Sequence, residues 1–333
     1  MLYKNLYTNK YIQSNIILFC SYLIINHTKK RIQNEKKIFI AALAMSCALW
    51  AANPNSINAS NYKQLTKGWS EFNVYALGSM YFNNLKNCIK DGKNANCKIA
   101  STARNNNRLD IYGNNIKTIY SRGLTLWLTL GTTVTDLYRT KDRPWKPAQD
   151  QGKILNQHDI SDIQWKGYND WPISESDFKT MNMKLENYEL KNSQAISSTI
   201  KSYFMDFVGT GTINFAPGEY YIGGFTTSAD TKMKFTNPGK ATILHTNGYI
   251  YWNHSNTNSS SDRDKVAKGF ILIHHGTQPV QIANDFYGTI VAPHAEVYIN
   301  AGTKFYGTII ARHFYERAGN LEMKYVKFAP SNF

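Results

Sequence analysis

The sequence predicts an all-β protein, a stacked β-solenoid with a short helical flank and long surface loops. Three observations lead to this class: the chain contains an internal repeat of 19 residues, its runs of β-branched and aromatic residues are interrupted by Gly and Asn, and its hydrophobic fraction is 42%. Runs of this kind are typical of strands. With 333 residues, the chain is long enough to bury a sizeable core.

The repeat is clearest in Phe-Tyr-Gly-Thr-Ile, which occurs at 286–290 and again at 305–309. A third copy at the same spacing starts at Gly269, which aligns with Gly288 and Gly307. Three further columns align in the same way: Ile271, Ile290 and Ile309; Ile273, Ala292 and Ala311; and His275, His294 and His313. One coil of a solenoid cannot bury its inner face alone, so we interpret each repeat as one coil that lies on its neighbour.

The chain divides into four segments. Residues 1–52 are interpreted as an N-terminal extension plus signal peptide, and 53–138 as N-terminal β-rich coils. A Pro/Trp-rich excursion and a helix are assigned to 139–204, and the C-terminal repetitive β-solenoid to 205–333.

Two stretches are predicted to leave the stack as surface loops: 139–171, which is rich in Pro and Trp, and 253–265, which is polar and low in complexity. A helix is predicted over 178–190, because the preceding Ser-Glu-Ser-Asp has the spacing of a capping box. We expect this helix to cap or flank the coils.

The N-terminal segment has the layout of an export signal. Basic residues precede an apolar run at 38–50, and the small residues Ala51 and Ala52 follow it, so cleavage is expected near these alanines. The apolar run of about 13 residues is too short to span a bilayer comfortably. After removal of the signal, the protein is expected not to be an integral membrane protein.

The cysteines predict one disulfide. Cys20 and Cys47 lie in the segment that is expected to be removed, which leaves Cys88 and Cys97. An isolated pair in an exported chain most simply forms a local disulfide. A metal site would need a further Cys or a nearby His, and the flanking sequence offers neither.

The charge of the chain does not indicate a nucleic-acid-binding protein. The formal net charge is +15, but residues 1–52 hold seven Lys/Arg and one acidic residue, which leaves 31 basic against 22 acidic residues in the remainder. This excess is scattered, so it indicates only a general affinity for anionic polymers or surfaces. Gly209 and Gly211 lack the third Gly and the helix of a dinucleotide loop. No cofactor is predicted.

Three motifs together resemble a known family: FAPGEYYIGGF at 215–225, GFILIHH at 269–275 and FYGTIVAPHAEVYINAGTKFYGTIIAR at 286–312. Over about 205–328 the chain resembles the repetitive C-terminal β-solenoid domain of bacterial surface and pilus-associated proteins. It is also similar to the domain called choice-of-anchor A, found in exported bacterial proteins. The resemblance implies export, a right-handed parallel β-helix-like stack, and a structural or adhesive role without catalysis.

The column of His275, His294 and His313 is a candidate metal site. Adjacent coils stack about 4.8 Å apart, so imidazoles in one column could converge on an ion. The alternative is that His is tolerated there as a polar turn residue, since no carboxylate shares the column. Metal sites need three or four convergent ligands.

Aromatic residues are the main candidates for binding, because the chain has 22 Tyr and 7 Trp. Tyr249 and Tyr251 share one face of a strand, since residues two apart point the same way. Tyr287 and Tyr306 point outward if the Phe residues that precede them point inward. A row of such rings could stack on sugar rings or pack against another protein. The alternative is that the rings fill the core or the corners of the solenoid.

An enzyme is the second hypothesis, because parallel β-helices also carry polysaccharide-cleaving sites. The candidate acids are Asp206, Glu219, Asp230, Asp285 and Glu296. Glycoside hydrolysis needs two carboxylates about 5 to 9.5 Å apart. None of these residues has an acidic partner in a neighbouring column of the repeat.

The sequence therefore predicts a non-catalytic, structural or adhesive bacterial protein that is secreted or held at the cell surface. Its expected partner is a polysaccharide or another cell-surface protein, bound through an aromatic face, and self-association is left open. The alternative is a carbohydrate-active β-helix enzyme, either a polysaccharide lyase or a hydrolase.

Overall fold

A computed structural model of the chain describes residues 69–90, 93–94, 97–102, 108–113, 116–122, 125–128, 131–140, 152–160, 187–191, 194–196, 201–208, 212–227, 232–257, 259–300 and 304–332. All of them belong to a compact unit that spans 57–333. The extension and signal peptide assigned to 1–52 lie outside the described residues.

The described residues are mostly β-strand. The strands are β1 (Val74–Ala76), β2 (Met80–Lys90), β3 (Lys93–Asn94), β4 (Lys98–Ser101), β5 (Arg108–Gly113), β6 (Ile116–Ser121), β7 (Thr125–Leu128), β8 (Thr133–Thr140), β9 (Lys153–Ile160), β10 (Asn187–Lys191), β11 (Gln194–Ile196), β12 (Lys201–Val208), β13 (Thr212–Phe215), β14 (Gly218–Thr227), β15 (Lys232–Phe235), β16 (Thr242–Thr246), β17 (Ile250–Trp252), β18 (Phe270–His274), β19 (Val280–Ile282), β20 (Phe286–Ile299), β21 (Lys304–Glu316) and β22 (Leu321–Tyr325). One α-helix, α1 (Arg263–Gly269), and two 3-10 turns, Trp69–Glu71 and Ser260–Asp262, complete the described elements. The predicted all-β class is confirmed.

The strands pair in parallel, apart from the antiparallel contact of β2 with β3. A first ladder runs in the order β10, β12, β14, β16, β18, β20, β21, β1, β4, β6, β8, β9. A second runs in the order β14, β17, β19, β20, β21, β2, β5, β7, and a third contains β11, β13 and β15. Because β14 and β20 belong to both of the first two ladders, the strands β14, β16, β18, β20, β19 and β17 form a closed parallel circuit around an apolar interior.

The order of strands in the first ladder differs from their order in the chain. Val74–Ala76 of β1 pairs in parallel with 309–311 of β21. The strands of 74–160 therefore extend the ladder beyond the C-terminal repeat, instead of preceding it. Side chains from both blocks form one interior, since Ile309, Val74 and Ile99 lie in register and are all fully buried.

A second apolar cluster buries the opposite face of the first ladder. Ile273, Val291 and Ile310 lie in this cluster, and Trp69 and Phe328 pack against the same layer. The central strands of the first ladder are therefore apolar on both faces, as is typical of parallel sheets.

The repeat spacing predicts the pairing of β20 with β21, and these strands align from Phe286 opposite Phe305 to Ala292 opposite Ala311. The third copy was aligned wrongly by one residue, because Ile271 lies opposite Thr289 and not opposite Ile290. Paired residues of β18 and β20 are 18 positions apart, as 271 and 289, whereas those of β20 and β21 are 19 apart, as 290 and 309. A shift of one residue exchanges the two faces of a strand.

The prediction of a helix over 178–190 is wrong at its C-terminal end, where 187–191 form β10. That segment pairs in parallel with β12, so its backbone groups form hydrogen bonds to a neighbouring strand and not within a helix. Residues 161–186, which include the rest of the predicted helix, lie outside the described residues. Within the predicted loops, 153–160 form β9, and α1 begins inside the polar stretch.

The segment that leads into α1 is held against β20 by one buried side chain. The Asn256 amide donates a hydrogen bond to the carbonyl oxygen of Tyr287 (2.8 Å) and accepts one from its backbone N–H (2.7 Å). The Arg263 guanidinium lies 5.6 Å from the centre of the Tyr287 ring. Asp264 forms an ion pair with Lys324 of β22 at 2.6 Å.

Replacing Asn256 by Ala is expected to lower the free energy of unfolding by about 3 kcal/mol, because two buried backbone groups lose their partner. Urea unfolding measures the change. Thr257→Ala is the matched control, since its hydroxyl bonds only to an exposed carbonyl oxygen, and it is expected to cost about 0.5 kcal/mol. Equal losses in the two variants would contradict the anchoring role of Asn256.

Candidate aromatic binding face

The second ladder carries a column of aromatic and polar side chains on its outer surface. Its inner positions, for example Ile250, Val280 and Val297, are fully buried. Residues at the alternating positions therefore point away from the interior. Pairing aligns them across seven strands as Tyr251, Gln281, Tyr298, Tyr315, Tyr81, Asp110 and Trp127. We call this surface the aromatic face.

The aromatic face is long and only partly covered. With strands about 4.8 Å apart, its seven strands span about 29 Å. Its four tyrosines and Trp127 are half-buried, so part of each side chain remains accessible. Polar side chains flank the column two positions away along the strands: Glu296 and His313 on one side, Asn300, Arg317 and Asn83 on the other.

The rings at the centre of the face are ordered by mutual contact. The rings of Tyr298 and Tyr315 stack with their centroids 4.9 Å apart and an angle of 16° between their planes. The Arg317 guanidinium lies 4.5 Å from the centre of the Tyr298 ring and 5.7 Å from that of Tyr315. Such cation–π contacts favour one arrangement of the rings.

Hydrogen bonds orient the hydroxyl and amide groups of the face. The Tyr298 hydroxyl donates a short hydrogen bond to the Glu296 carboxylate. The Asn300 amide donates to the side-chain oxygen of Gln281 at 2.9 Å. Burial, with the Glu296 carboxylate as a second cause, raises the pKa of Tyr298 to about 12. The phenol is therefore protonated at neutral pH.

A groove of about 580 Å³ crosses the face where β21 meets β2 and β5. Its lining comprises Ser79, Met80, Tyr81, Asn83, Asp110, Tyr315 and Arg317. Asp110 is only 8% exposed. The volume is within the range of small-ligand sites, about 300 to 1,000 Å³, and the lining combines aromatic rings with a carboxylate, an amide and a guanidinium.

Two of the four tyrosines predicted for binding lie on this surface. Tyr251 belongs to the column, and Tyr249, at 37% exposure, flanks it. Tyr287, which alternation places outside if Phe286 points inward, is fully buried, because the segment around Asn256 covers it. Tyr306 is half-buried away from the aromatic face, where its hydroxyl donates to Glu322 at 2.7 Å.

The predicted histidine column does not form. The register shift in β20 places Glu296, and not His294, opposite His313. The Nδ1 atom of His313 accepts a hydrogen bond from the backbone N–H of Ser79 at 2.9 Å, and burial lowers its pKa. Over the described ranges, no group of three or more His, Cys, Asp or Glu residues has an arrangement suited to a metal ion.

His275 instead belongs to a chain of three polar side chains that the sequence analysis missed. Its Nε2 atom lies 2.9 Å from Nδ1 of the fully buried His245, whose Nε2 lies 2.8 Å from the Glu219 carboxylate. The Tyr221 ring stacks on His245 at 4.7 Å. With the carboxylate accepting from Nε2–H of His245, the Nδ1 atom of His245 accepts a hydrogen bond from Nε2–H of His275. These residues are 26 and 30 positions apart, so no local motif indicates them.

Cys97 is fully buried and disulfide-bonded. The side chain of Cys88, its predicted partner, lies outside the described residues. A disulfide at this position agrees with the oxidising compartment that the export signal predicts.

The carboxylates of the aromatic face are not arranged as a glycosidase pair. Glu296 on β20 and Asp110 on β5 are three strands apart, about 14 Å. Hydrolysis needs about 5 to 9.5 Å. Asp285 accepts hydrogen bonds from the Tyr287 hydroxyl and the Lys304 backbone. Asp230 and the side chain of Asp206 lie outside the described residues.

Comparison of the chain with protein-family models, with curated proteins and with solved structures returns no match. Among the described residues, no helix has the length and apolar character needed to cross a membrane.

The raised pKa of Tyr298 predicts a loss of stability in alkali. The phenol ionises near pH 10 in the unfolded chain and near 12 in the folded one. The stabilisation of the folded state by the protonated phenol is therefore complete below pH 10 and is lost as the pH rises through about 12. Urea unfolding across this window should show a shallower decline for Tyr298→Phe than for the unsubstituted protein. If the free energy of unfolding declined equally in the two proteins, the raised pKa would not belong to Tyr298.

Proposed function

We propose that the protein is an exported, non-catalytic β-helix-like protein that binds polysaccharide through the aromatic face. In this proposal the first two ladders are walls of one stack of right-handed coils, and β14, β20 and β21 pass from one wall to the other. Three parallel ladders with recurring columns support it. The block at 74–160 continues the same stack below β21.

The observation that carries the proposal is the ordered column from Tyr251 to Trp127. A sugar ring has an apolar face of C–H groups and an edge of hydroxyls, and this surface offers both complements. The stacked rings of Tyr298 and Tyr315 supply apolar surface, and the amides of Gln281 and Asn300 supply donors and acceptors beside it. Rings of this kind carry much of the binding free energy of such surfaces.

Export and a place outside the cell are supported by the signal pattern before residue 53 and by the disulfide at Cys97. The resemblance to bacterial surface domains agrees with both. A cell-surface protein could occupy the same face, and the binding assay below distinguishes it from a glycan.

The second candidate function is a carbohydrate-active enzyme, and the groove beside Asp110 is the observation that favours it. Enzymes that cleave glycosidic bonds use carboxyl groups as acids, bases or nucleophiles, and Asp110 is a buried carboxylate within an aromatic groove. The distance to Glu296 argues against hydrolysis by this pair.

The proposal is tested by mixing the purified protein with a panel of insoluble polysaccharides, and by following both loss of protein from solution and release of reducing or unsaturated ends. We expect depletion without product. Tyr298→Ala/Tyr315→Ala should weaken binding about 30-fold, the effect of losing about 1 kcal/mol of stacking at each ring. Tyr298→Phe/Tyr315→Phe keeps the rings and should retain most of the affinity.

Tyr120→Ala/Tyr138→Ala is the matched control, because these half-buried rings also stack, at 4.6 Å, but lie on the first ladder. Equal losses in both alanine pairs would contradict a role of the aromatic face. Release of new ends would favour the enzyme, and binding to no glycan in the panel would overturn the proposal in favour of a protein partner.

A further inference from the structure

Three segments that are distant in the chain meet at the turn between β15 and β16. A Cβ atom at Gly269, the last residue of α1, would stand 2.6 Å from the carbonyl oxygen of Lys240. The backbone N–H of Ala329 donates to the carbonyl oxygen of Lys268 at 2.9 Å, and that of Ser331 to Gly239 at 2.8 Å. We call the surface formed by 232–241, 265–269 and 327–332 the basic corner.

The basic corner carries positive charge only. Its sequence contains no Asp or Glu, and it contains six lysines: Lys232, Lys234, Lys240, Lys265, Lys268 and Lys327. All are exposed except the half-buried Lys234. The charge of the whole chain is distributed without an evident cluster in the sequence, whereas folding gathers these lysines from three segments.

Among the described residues, the acidic side chains that precede the second segment of the corner, Asp262 and Asp264, do not cancel this charge. Asp230, two positions before Lys232, lies outside the described residues. Asp264 is engaged with Lys324 at 2.6 Å, outside the corner. Asp262 lies 3.5 Å from Lys265, a distance at which an exposed pair contributes little. The corner therefore retains a positive field that attracts polyanions.

We propose that the basic corner binds an anionic polysaccharide, a glycan chain that carries carboxylate or phosphate groups along its length. Flexible lysines act as point charges and lack the planar fork with which Arg grips one fixed anion. They suit a polymer with distributed charge. The large exposed apolar side chains of the described residues, Leu155 and Tyr249, lie elsewhere, so a membrane surface is not favoured.

This site is independent of the aromatic face. The basic corner lies between β15 and β16, whereas the aromatic face lies on the ladder through β17 and β19. A protein with both sites can hold a charged and an uncharged glycan at the same time.

The test is the binding of the full-length protein to soluble polygalacturonate at several salt concentrations, with neutral dextran as the uncharged comparison. The logarithm of the binding constant should fall linearly with the logarithm of the salt concentration. Lys240→Gln/Lys268→Gln/Lys327→Gln should weaken binding about tenfold or more and reduce the salt slope, because three contacts that release counterions are lost.

Lys117→Gln/Lys153→Gln/Arg312→Gln removes the same charge from other exposed positions and should leave affinity within about twofold. Equal losses in both triple variants would show that net charge alone acts, and would overturn the site. Binding to phosphatidylglycerol vesicles but not to the glycan would also overturn it and assign the corner to a lipid surface. Tyr298→Ala/Tyr315→Ala should bind polygalacturonate normally, so this proposal and that for the aromatic face can fail separately.

Discussion

Parallel, in-register stacking of strands is the constraint on which the rest of the structure depends. It brings equivalent residues of neighbouring strands within van der Waals distance. Each side chain in a column must therefore pack against the side chain at the same position of the next strand. Phe286 stacks on Phe305 at 5.5 Å, and Thr289 bonds to Thr308 at 3.1 Å. The sharpest requirement is at Gly307, whose φ is 150° and where a Cβ atom would stand 1.8 Å from the carbonyl oxygen of Gly288. Only glycine permits this approach.

The same stacking builds the interior and the aromatic face together. Inner columns gather Ile, Val and Phe, and the alternating positions of the same strands gather Tyr, Gln and Asn. The distance between paired strands thereby sets each ring about 4.8 Å from the next one, and no additional loop or helix is needed to position it. Contacts between neighbouring rings hold such a surface in one arrangement, which would limit the entropy lost in the binding that we propose.

The all-β class and the parallel pairing of β20 with β21 could be predicted from the sequence, because the repeat has a constant length there. The details depend on single residues. One residue fewer between β18 and β20 displaced the third copy, and the register shift before Glu296 separated the histidines. The alternation of side chains along the strand predicted an exposed Tyr287. The segment around Asn256, which bonds to the Tyr287 backbone, covers this side chain. Tyr81 and Trp127 joined the face only because β2, β5 and β7 continue the second ladder after β21, and no local pattern reveals that order.

The position of β1 between β21 and β4 has a consequence for biosynthesis. During translation the strands of 74–160 are made first, yet one edge of their stack finds its partner only after residue 311 has been added. Contacts of such long sequence separation close slowly, since the loop entropy must be overcome before they form. The nascent chain thus carries an open, parallel strand edge until its last repeat is complete. This edge of the block at 74–160 is covered only when β21 has been made and pairs with β1.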